Sequence, residues 1–281
     1  MNQDLNTRLT LARQAVVQGG DLARAFFGQT TVQVKTDGSE LTQADLQVDA
    51  LIRDQIEHAF NEPVLSEETI DQWSDEKLSK LDACWMLDPI DGTTNFANGL
   101  SWWGPILAYR QGGEVQLAAV AVPMMNLVVT AVRGEGAYLN DTRLQVADRS
   151  PRLTRRHIIG GTSLLHLKYA IDLPCKMRIL GSQLDACLHV ADGTYQAALI
   201  GGINAWERWA VALIIREAGG VVTPIDPAQT LECGTTLSQT IHCKQSILLV
   251  NSPALLPVLR AGLHPRQSAT AEQPQEKKGS K

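Results

Sequence analysis

The segment of residues 85–96, which reads W-M-L-D-P-I-D-G-T-T-N-F, constrains the fold more than any other part of the chain. An apolar run ends at Asp88, and a second carboxylate follows at Asp91, with a stiffening Pro89 between them. Both carboxylates can therefore converge on one point, together with the backbone carbonyl of Ile90. Hard cations such as Mg2+ prefer such oxygen ligands. The sequence predicts a metal site at the carboxyl end of a buried strand.

Backbone amides directly after these carboxylates predict a phosphate site beside the metal site. Gly92 carries no Cβ, and Thr93 and Thr94 can start a helix. Exposed amides at a helix N-terminus bind phosphate oxygens. The two sites are expected to be neighbours because their residues follow each other in the chain. A plain strand end with an Asp-Gly turn accounts for Asp91 and Gly92, but not for the whole string.

The order of apolar segments predicts two lobes. Helical periodicity over residues 5–27, ended by Gly28, and a helix capped by Thr42 precede a strand meander over residues 104–147. Strands and helices then alternate, as in an αβ lobe. We therefore predict three regions: an N-terminal α+β lobe over residues 1–150, a C-terminal α/β lobe over residues 151–263, and a disordered polar tail over residues 264–281.

Charge and composition exclude several classes of protein. A formal net charge of -5 gives no broad basic surface for nucleic acid. The chain has neither a signal-peptide pattern nor an apolar run of about 18 residues, so we expect a cytoplasmic protein with no membrane partner. Five cysteines without a C-x-x-C pair argue against a disulfide framework and a zinc knuckle.

The W-x-L-D-P-I-D-G-T-T-N-F string resembles the metal-binding signature of the inositol monophosphatase family. Three other segments support this resemblance: K-T-D-G-S-E-L-T-Q-A-D at 35–45, S-E-E at 66–68 and E-A-G-G at 217–220. Their order and spacing fit the family over residues 5–262. The resemblance implies an α+β fold, a layered αβαβα sandwich of the inositol monophosphatase and fructose bisphosphatase type. It also implies a homodimer and a Mg2+-dependent, lithium-sensitive phosphatase.

The resemblance also implies a mechanism, in which metal-activated water hydrolyses a small phosphorylated metabolite with two or three Mg2+ ions. One ion lowers the pKa of a water, and another stabilises the leaving alkoxide. The metal ligands implied by the family are Glu67, Asp88, the carbonyl of Ile90, Asp91 and Glu207. The implied catalytic residues are Glu68, Asp45 and Thr93. The implied substrate-binding residues are Gly92, Thr93, Lys35, Ser182 and Gln183.

The second signature departs from the family pattern. Where the family has N-P-W-D-x-A-A-G, this chain has N-A-W-E-R-W-A-V at 204–211. Glu207 therefore replaces the ligating aspartate with a side chain one methylene longer, and Trp209 replaces a small residue. An alignment without gaps places Ile200 where the family has a glutamate that binds inositol hydroxyls. Loss of such a hydrogen-bonding group weakens the prediction of a polyol substrate.

Two alternatives to an inositol monophosphatase stay open at this point. One is another phosphatase of the superfamily, acting on 3'-phosphoadenosine 5'-phosphate or on a sugar bisphosphate. The T-T-N-F string favours the inositol branch over the nucleotidase branch, in which D-G-T-K-E-F is more usual. The other is a degenerate, non-catalytic binding protein, which the residues Glu207, Trp209 and Ile200 suggest and the intact acidic motifs oppose.

Overall fold

Nine helices and sixteen strands are formed by the residues that the computed structural model describes, which are 3–36, 38–146, 152–231 and 236–266. The helices are α1 (Gln3–Arg24), α2 (Gln43–Phe60), α3 (Asp75–Ser79), α4 (Thr93–Ala97), α5 (Leu165–Lys168), α6 (Gln183–Ala191), α7 (Ala205–Glu217), α8 (Leu237–Ile241) and α9 (Leu256–Ala261). The first strands are β1 (Gln33–Val34), β2 (Glu40–Leu41), β3 (Val64–Ser66), β4 (Ala83–Asp91), β5 (Gly104–Gln111), β6 (Glu114–Val122), β7 (Leu127–Val132), β8 (Gly136–Leu139) and β9 (Thr142–Arg143). The remaining strands are β10 (Ile158–Gly161), β11 (Tyr169–Ile171), β12 (Lys176–Arg178), β13 (Ala197–Ile203), β14 (Val221–Pro224), β15 (Gln245–Val250) and β16 (Leu263–Pro265).

The larger sheet has seven strands in the order β3-β4-β5-β6-β7-β8-β9. Strand β3 is parallel to β4, and the other neighbours are antiparallel, which confirms the predicted meander. Strand β4 continues to Asp91, so the prediction that it ends at Asp88 is wrong. The backbone stays paired with β5 because a shift of register between Asp88 and Asp91 accommodates the intervening proline.

Helices α1 and α2 cover one face of the seven-stranded sheet. Side chains alternate between the faces of a strand, and Trp85 and Leu87 of β4 join Val16 of α1 and Ile52 of α2 in one apolar cluster. Helix α2 begins as predicted at Thr42, whose hydroxyl accepts from the amides of Ala44 and Asp45. A capping box of this kind fixes where the chain turns into the helix.

Helices α6 and α7 fill the space between the two large sheets. The opposite face of β4, at Met86, packs in one core with Leu188 of α6, Trp209 of α7 and Ala198 of β13. The second sheet has five strands in the order β12-β10-β13-β15-β14, and its outer face packs against Leu165 of α5 and the α9 region. The layers therefore run helix, sheet, helix, sheet, helix, which confirms the predicted αβαβα sandwich.

Two predictions about the chain are corrected by the structure. His264 and Pro265 belong to β16, which pairs with β11, so the predicted disordered tail cannot begin at residue 264. Residues 267–281 and the predicted lobe boundary at 150–151 lie outside the described residues. Cys243 takes part in a disulfide bond, contrary to the expectation from the cysteine spacing, whereas Cys84, Cys175 and Cys187 are free. The spacing of cysteines does not reveal which thiols the fold brings together.

None of the helices formed by the described residues has the combined length and hydrophobicity that a bilayer-spanning segment needs.

Gly104 allows β5 and β6 to approach each other beside the strand position of Asp91. A Cβ at residue 104 would lie 1.9 Å from the carbonyl oxygen of Ala121. We expect Gly104→Ala to lower the free energy of unfolding by about 3 kcal/mol, because the clash is with backbone. A Cβ at residue 112 would meet no atom within 4 Å, and only the positive φ of 59° would be strained. We therefore expect Gly112→Ala to lower the free energy of unfolding by about 1 kcal/mol. Urea unfolding compares the two variants, and equal losses would contradict the role of Gly104.

Candidate active site

Three buried carboxylates from distant parts of the sequence meet between the sheets. Asp88 and Asp91 lie on β4, and Glu207 lies in the first turn of α7. One oxygen atom of each carboxylate lies within 4.8 Å of the others. The exposed fractions of the three residues are only 2%, 4% and 8%, in the same order. Burial of three acids so close together is costly unless a cation or hydrogen bonds compensate their charge.

The N-terminus of helix α6 holds Asp91 in place. The hydroxyl of Ser182, which is the N-cap residue of α6, donates a short hydrogen bond to Asp91 Oδ2. The amides of Leu184 and Gln183 donate to the two oxygens of the same carboxylate at 3.2 and 3.4 Å. The predicted substrate residues Ser182 and Gln183 therefore also orient a candidate metal ligand.

Glu207 is oriented by the start of its own helix. Its Oε2 atom accepts a hydrogen bond of 2.8 Å from the amide of Asn204, and the Asn204 side chain completes a capping box. This arrangement uses one carboxylate oxygen for the cap. The extra methylene of glutamate lets the carboxylate cap the helix and still approach Asp88 and Asp91.

Lys35 binds the two glutamates that follow β3. Its Nζ atom lies 3.2 Å from Glu67 Oε1 and 2.8 Å from Glu68 Oε2. Glu67 lines the same pocket as Asp88 and Asp91, whereas Lys35 and Glu68 are not among the described residues that line it. Lys35, which we expected to contact substrate, is thus the counter-ion of two acidic residues.

The Thr93 hydroxyl connects Asp45 with the backbone of Ile90 beside the acidic cluster. The Thr93 hydroxyl lies 3.0 Å from the carbonyl oxygen of Ile90 and 3.5 Å from Asp45 Oδ1. Asp45 Oδ2 accepts from both the amide and the hydroxyl of Thr42, at 2.8 and 2.5 Å. The capping box of α2 therefore fixes Asp45 where one of its oxygens still faces Thr93.

Burial raises the pKa of Asp45, Asp88, Asp91 and Glu207 above the ordinary value of each. The pKa of Asp45 and that of Asp91 rise to about 6, mainly through burial. The pKa of Glu207 rises to about 8 through burial and the neighbouring Asp91. The pKa of Asp88 is raised well above its usual range by burial and by the charge of Glu67 and other acids. Without a cation, the cluster therefore releases its protons at higher pH than free carboxyl groups do.

A cavity of about 370 Å3 opens onto the acidic cluster. The predicted site residues that line it are Glu67, Asp88, Ile90, Asp91, Gly92, Thr93, Ser182, Gln183 and Glu207. The wall is completed by residues that the sequence analysis did not assign to the site, which are Gly38, Ser39, Glu40, Thr94, Thr162, Ser163, Leu164, Gly181, Gly201, Asn204 and Trp206. Most of these wall residues come from loops that only the tertiary fold brings together.

Asn95 is a positioning residue that the sequence analysis overlooked. Its side-chain amide donates to the carbonyls of Trp102 and Leu180, at 2.7 and 2.8 Å. It thereby joins the chain after β4 to the loop that leads into Ser182. Gly181, with φ 90°, passes so close that a Cβ there would lie 2.5 Å from the Asn95 oxygen. In the sequence, the place of Asn95 in the T-T-N-F string was the signal that could have identified it as a site residue.

Glu40 is a second residue that the sequence analysis overlooked. It lines the cavity, and its Oε2 atom is buried without a hydrogen-bond partner among the described residues. Glu40 lies within the 35–45 segment, but its place in the cavity wall depends on its pairing with Val34 in the β1–β2 hairpin, which the segment alone does not reveal.

Ile200 does not face the cavity. It is fully buried on β13, paired with Ile247, in the core between the sheets. The next residue, Gly201, lines the cavity instead. The gap-free alignment therefore identified a core position rather than a substrate contact, because Ile200 shares the core-facing side of β13 with Ala198 through the regular alternation of the strand.

The donor set fits a hard divalent cation. Asp88, Asp91 and Glu207 supply carboxylate oxygens, the described cluster contains no sulfur or imidazole, and the spacing of 4.8 Å or less is compatible with ligands around one ion. The ammonium group of Lys35 between Glu67 and Glu68 shows that this side of the site already holds positive charge.

The chain matches known proteins along most of its length. A model of the inositol monophosphatase family matches residues 4–263. The Nus factor SuhB of Pasteurella multocida is 31% identical over 235 residues, which cover 79% of this chain and 85% of that protein. An inositol-1-monophosphatase of Rhizobium meliloti is 31% identical over 257 residues, with coverage of 85% and 94%.

A histidinol-phosphatase of Chlorobaculum parvum is 30% identical over 233 residues, which cover 78% of this chain and 85% of that protein. Among solved structures, the IMPase of Thermotoga maritima superposes with a TM-score of 0.75 at 26% identity. The superposition covers 91% of this chain and 97% of that one. The matched proteins therefore share the fold but carry different functional names.

The raised pKa values predict how the stability of the metal-free protein depends on pH. The folded chain holds protons on Asp45, Asp91 and Glu207 up to about pH 6–8, whereas the unfolded chain releases them near their ordinary values. Stability without metal should therefore fall as pH rises from about 4 to about 8, and the contribution of Asp45 and Asp91 is lost by about pH 6 and that of Glu207 by about pH 8. In EDTA the melting temperature should decrease between pH 6 and 8, by about 2–4 °C for each kcal/mol lost.

Glu207→Gln should flatten this pH dependence between pH 6 and 8, because it removes a buried acid whose pKa is raised to about 8. The matched change Glu57→Gln, at an exposed position of α2, should leave it unchanged. A melting temperature that rises with pH in EDTA would contradict the assignment.

Proposed function

Because the chain belongs to the inositol monophosphatase family, we propose that it hydrolyses small phosphate monoesters in a Mg2+-dependent reaction. The observation that carries the proposal is the buried cluster of Asp88, Asp91 and Glu207, open to a cavity and flanked by Glu67. Oxygen ligands of this kind suit Mg2+, and phosphoryl transfer requires positioning and charge neutralisation more than a protein nucleophile.

The metal ions would be held by carboxylates from three elements. Asp88, Asp91 and Glu207 would ligate one ion, and Glu67 with the carbonyl of Ile90 would complete a second position. Bound Mg2+ supplies charge neutralisation for the phosphate and acidifies a water molecule. We propose two or three ions, in line with the number of acidic groups.

Asp45, Glu68 and Thr93 would handle the proton of the attacking water. The Thr93 hydroxyl can orient that water and lies 3.5 Å from Asp45 Oδ1. The pKa of Asp45, raised to about 6 by burial, suits a group that accepts a proton near neutral pH. Glu68, which is ion-paired with Lys35, would stabilise the protonated form of Asp45 through its negative charge.

The backbone after β4 would bind the phosphate. Gly92 has φ 81°, and a Cβ there would lie 2.9 Å from the carbonyl oxygen of Trp102. Glycine therefore lets the chain turn sharply from Asp91 into Thr93. The amides of Gly92 and Thr93 lie beside the carboxylates that hold the metal, so a phosphate can contact both.

The cavity favours a substrate with a single phosphate group. None of the described residues that line it is a lysine or arginine, so a second phosphate would find no fixed positive partner. This observation favours inositol or histidinol monophosphates over 3'-phosphoadenosine 5'-phosphate and sugar bisphosphates. The polar wall offers hydroxyl groups from Ser39, Thr162 and Ser163 to a hydroxylated or amine-bearing substrate.

We further propose a cytoplasmic homodimer, as the family resemblance implies. A non-catalytic binding protein is the rival, and it predicts Mg2+ binding without turnover. Phosphate release should be measured with and without Mg2+ from four substrates: inositol 1-phosphate, histidinol phosphate, 3'-phosphoadenosine 5'-phosphate and fructose 1,6-bisphosphate. Turnover of none of them by folded protein that binds Mg2+ would favour the rival.

Asp88→Asn should abolish Mg2+-dependent phosphate release, because it removes ligand charge while preserving side-chain volume. We expect a loss of at least about 1,000-fold in kcat, as for the removal of a central charge-stabilising group. The fold should remain, since among the described residues the Asp88 carboxylate accepts a single, local hydrogen bond, from the amide of Ile90. The exposed change Asp54→Asn on α2 is the matched control. Activity near wild type in Asp88→Asn would refute the metal assignment.

The variant Glu207→Gln distinguishes the proposed role of Glu207 as a metal ligand from its role in capping α7. The amide oxygen of glutamine can still accept from the Asn204 amide, so the cap of α7 should persist, whereas the charge at the metal is lost. We expect Mg2+ affinity, measured by calorimetry, to fall about tenfold or more. Unchanged affinity would show that Glu207 serves only the helix, and Glu57→Gln controls for loss of charge elsewhere.

A further inference from the structure

A second cavity of about 360 Å3 lies on α7, away from the acidic cluster. It is bordered by the turn between β5 and β6, by β7, and by α8, and it shares no lining residue with the candidate active site. Four arginines contribute to its wall, which are Arg110, Arg133, Arg208 and Arg216. Glu114 is the only acidic residue among the described lining residues.

The arginines of this cavity differ in how they are held. Arg208 is buried, and its guanidinium donates to the carbonyls of Cys243 and Thr240 at 2.8 Å each. Arg133 donates to the carbonyl of Val115 at 2.9 Å and lies 3.3 Å from Glu114. These two side chains are fixed parts of the wall, and they leave a net positive field in the cavity.

Arg216 is exposed, whereas Arg110 is half-buried and hydrogen-bonded to Cys84; the remaining N–H groups of the Arg110 guanidinium can donate to a ligand. Neither forms an ion pair with an acidic side chain in the described parts of the chain. The guanidinium carbon of Arg110 lies 5.8 Å from the centre of the Trp209 ring, and Arg216 is exposed on α7. A guanidinium group without a carboxylate partner is a preferred donor to phosphate and carboxylate oxygens.

The remaining wall is apolar and hydroxylated. Trp209, Val115, Ala212, Leu213 and Leu237 provide an apolar surface, and Thr236 and Thr240 add hydroxyl groups. Trp209 stands where the family signature has a small residue, so its ring is a feature of this chain. An aromatic surface beside guanidinium groups suits a ligand with an anionic end and a flat apolar end.

We propose that this arginine cavity binds a small organic anion, in which a phosphate-like or carboxylate group contacts Arg110 and Arg216 and a flat apolar part lies against Trp209. The site is chemically opposite to the candidate active site. There the described wall is acidic and, on the proposed function, a metal ion would neutralise the phosphate, whereas here arginine side chains supply the positive charge.

Calorimetry with non-hydrolysable probes tests this proposal on protein that has been stripped of metal with EDTA and then dialysed free of EDTA, which is itself a carboxylate anion. The metal-free acidic site then cannot attract an anion through a metal. Phenylphosphonate carries both the anionic group and the aromatic ring. Methylphosphonate carries the anionic group alone, and benzyl alcohol carries the ring alone. Phenylphosphonate should bind to one site, at least about tenfold more tightly than either partial probe. Absence of phenylphosphonate binding at millimolar concentration would overturn the proposal.

Arg216→Ala should weaken phenylphosphonate binding about tenfold or more, the loss expected for a charge-assisted hydrogen bond. Arg216 is exposed, so the fold should persist. Arg13→Ala, at another exposed arginine on α1, removes the same charge elsewhere and should have no effect. Equal weakening by both variants would show non-specific attraction and refute the site. Equal affinity for phenylphosphonate and methylphosphonate would refute the role of Trp209.

Discussion

The mutual repulsion of Asp88, Asp91 and Glu207 is the constraint on which the rest of the structure depends. Two helices moderate it. The amides of the first turn of α6 donate to Asp91. At the start of α7, the amide of Asn204 donates to the carboxylate of Glu207. Negative charge is favoured at helix N-termini, where the backbone amides are unpaired. The layered fold places both helix ends against β4, so the backbone itself stabilises part of the charge that a cation must otherwise neutralise.

The sequence predicted the parts of the site that are local in the chain. Asp88 to Thr93 form a single strand-to-helix segment, and the capping box between Thr42 and Asp45 is encoded within four residues. Such features follow from short-range backbone geometry. The layers were predictable as well, through the family resemblance and the alternation of apolar segments.

What the sequence could not supply depends on distant contacts. Glu40 reaches the cavity through the pairing of β1 with β2. Gly201 lines the cavity whereas its neighbour Ile200 packs in the core, and which residue of β13 meets the site depends on where the other sheet lies. Likewise, Lys35 was expected to contact substrate, yet its charge is used by Glu67 and Glu68 across 32 and 33 residues. Side chains of the right type are visible in a sequence, but their partners are set by tertiary packing.

Helix α7 separates two environments of opposite charge. Glu207 faces the acidic cluster, and two residues later Trp209 faces the arginine cavity, because successive side chains on a helix point in different directions. The departures from the family signature therefore have separate physical meanings. The longer side chain of Glu207 caps the start of α7 and still offers a carboxylate oxygen to the acidic cluster. The tryptophan at 209 builds an apolar wall beside arginines, and so bears on a different ligand from the one that the acidic cluster serves.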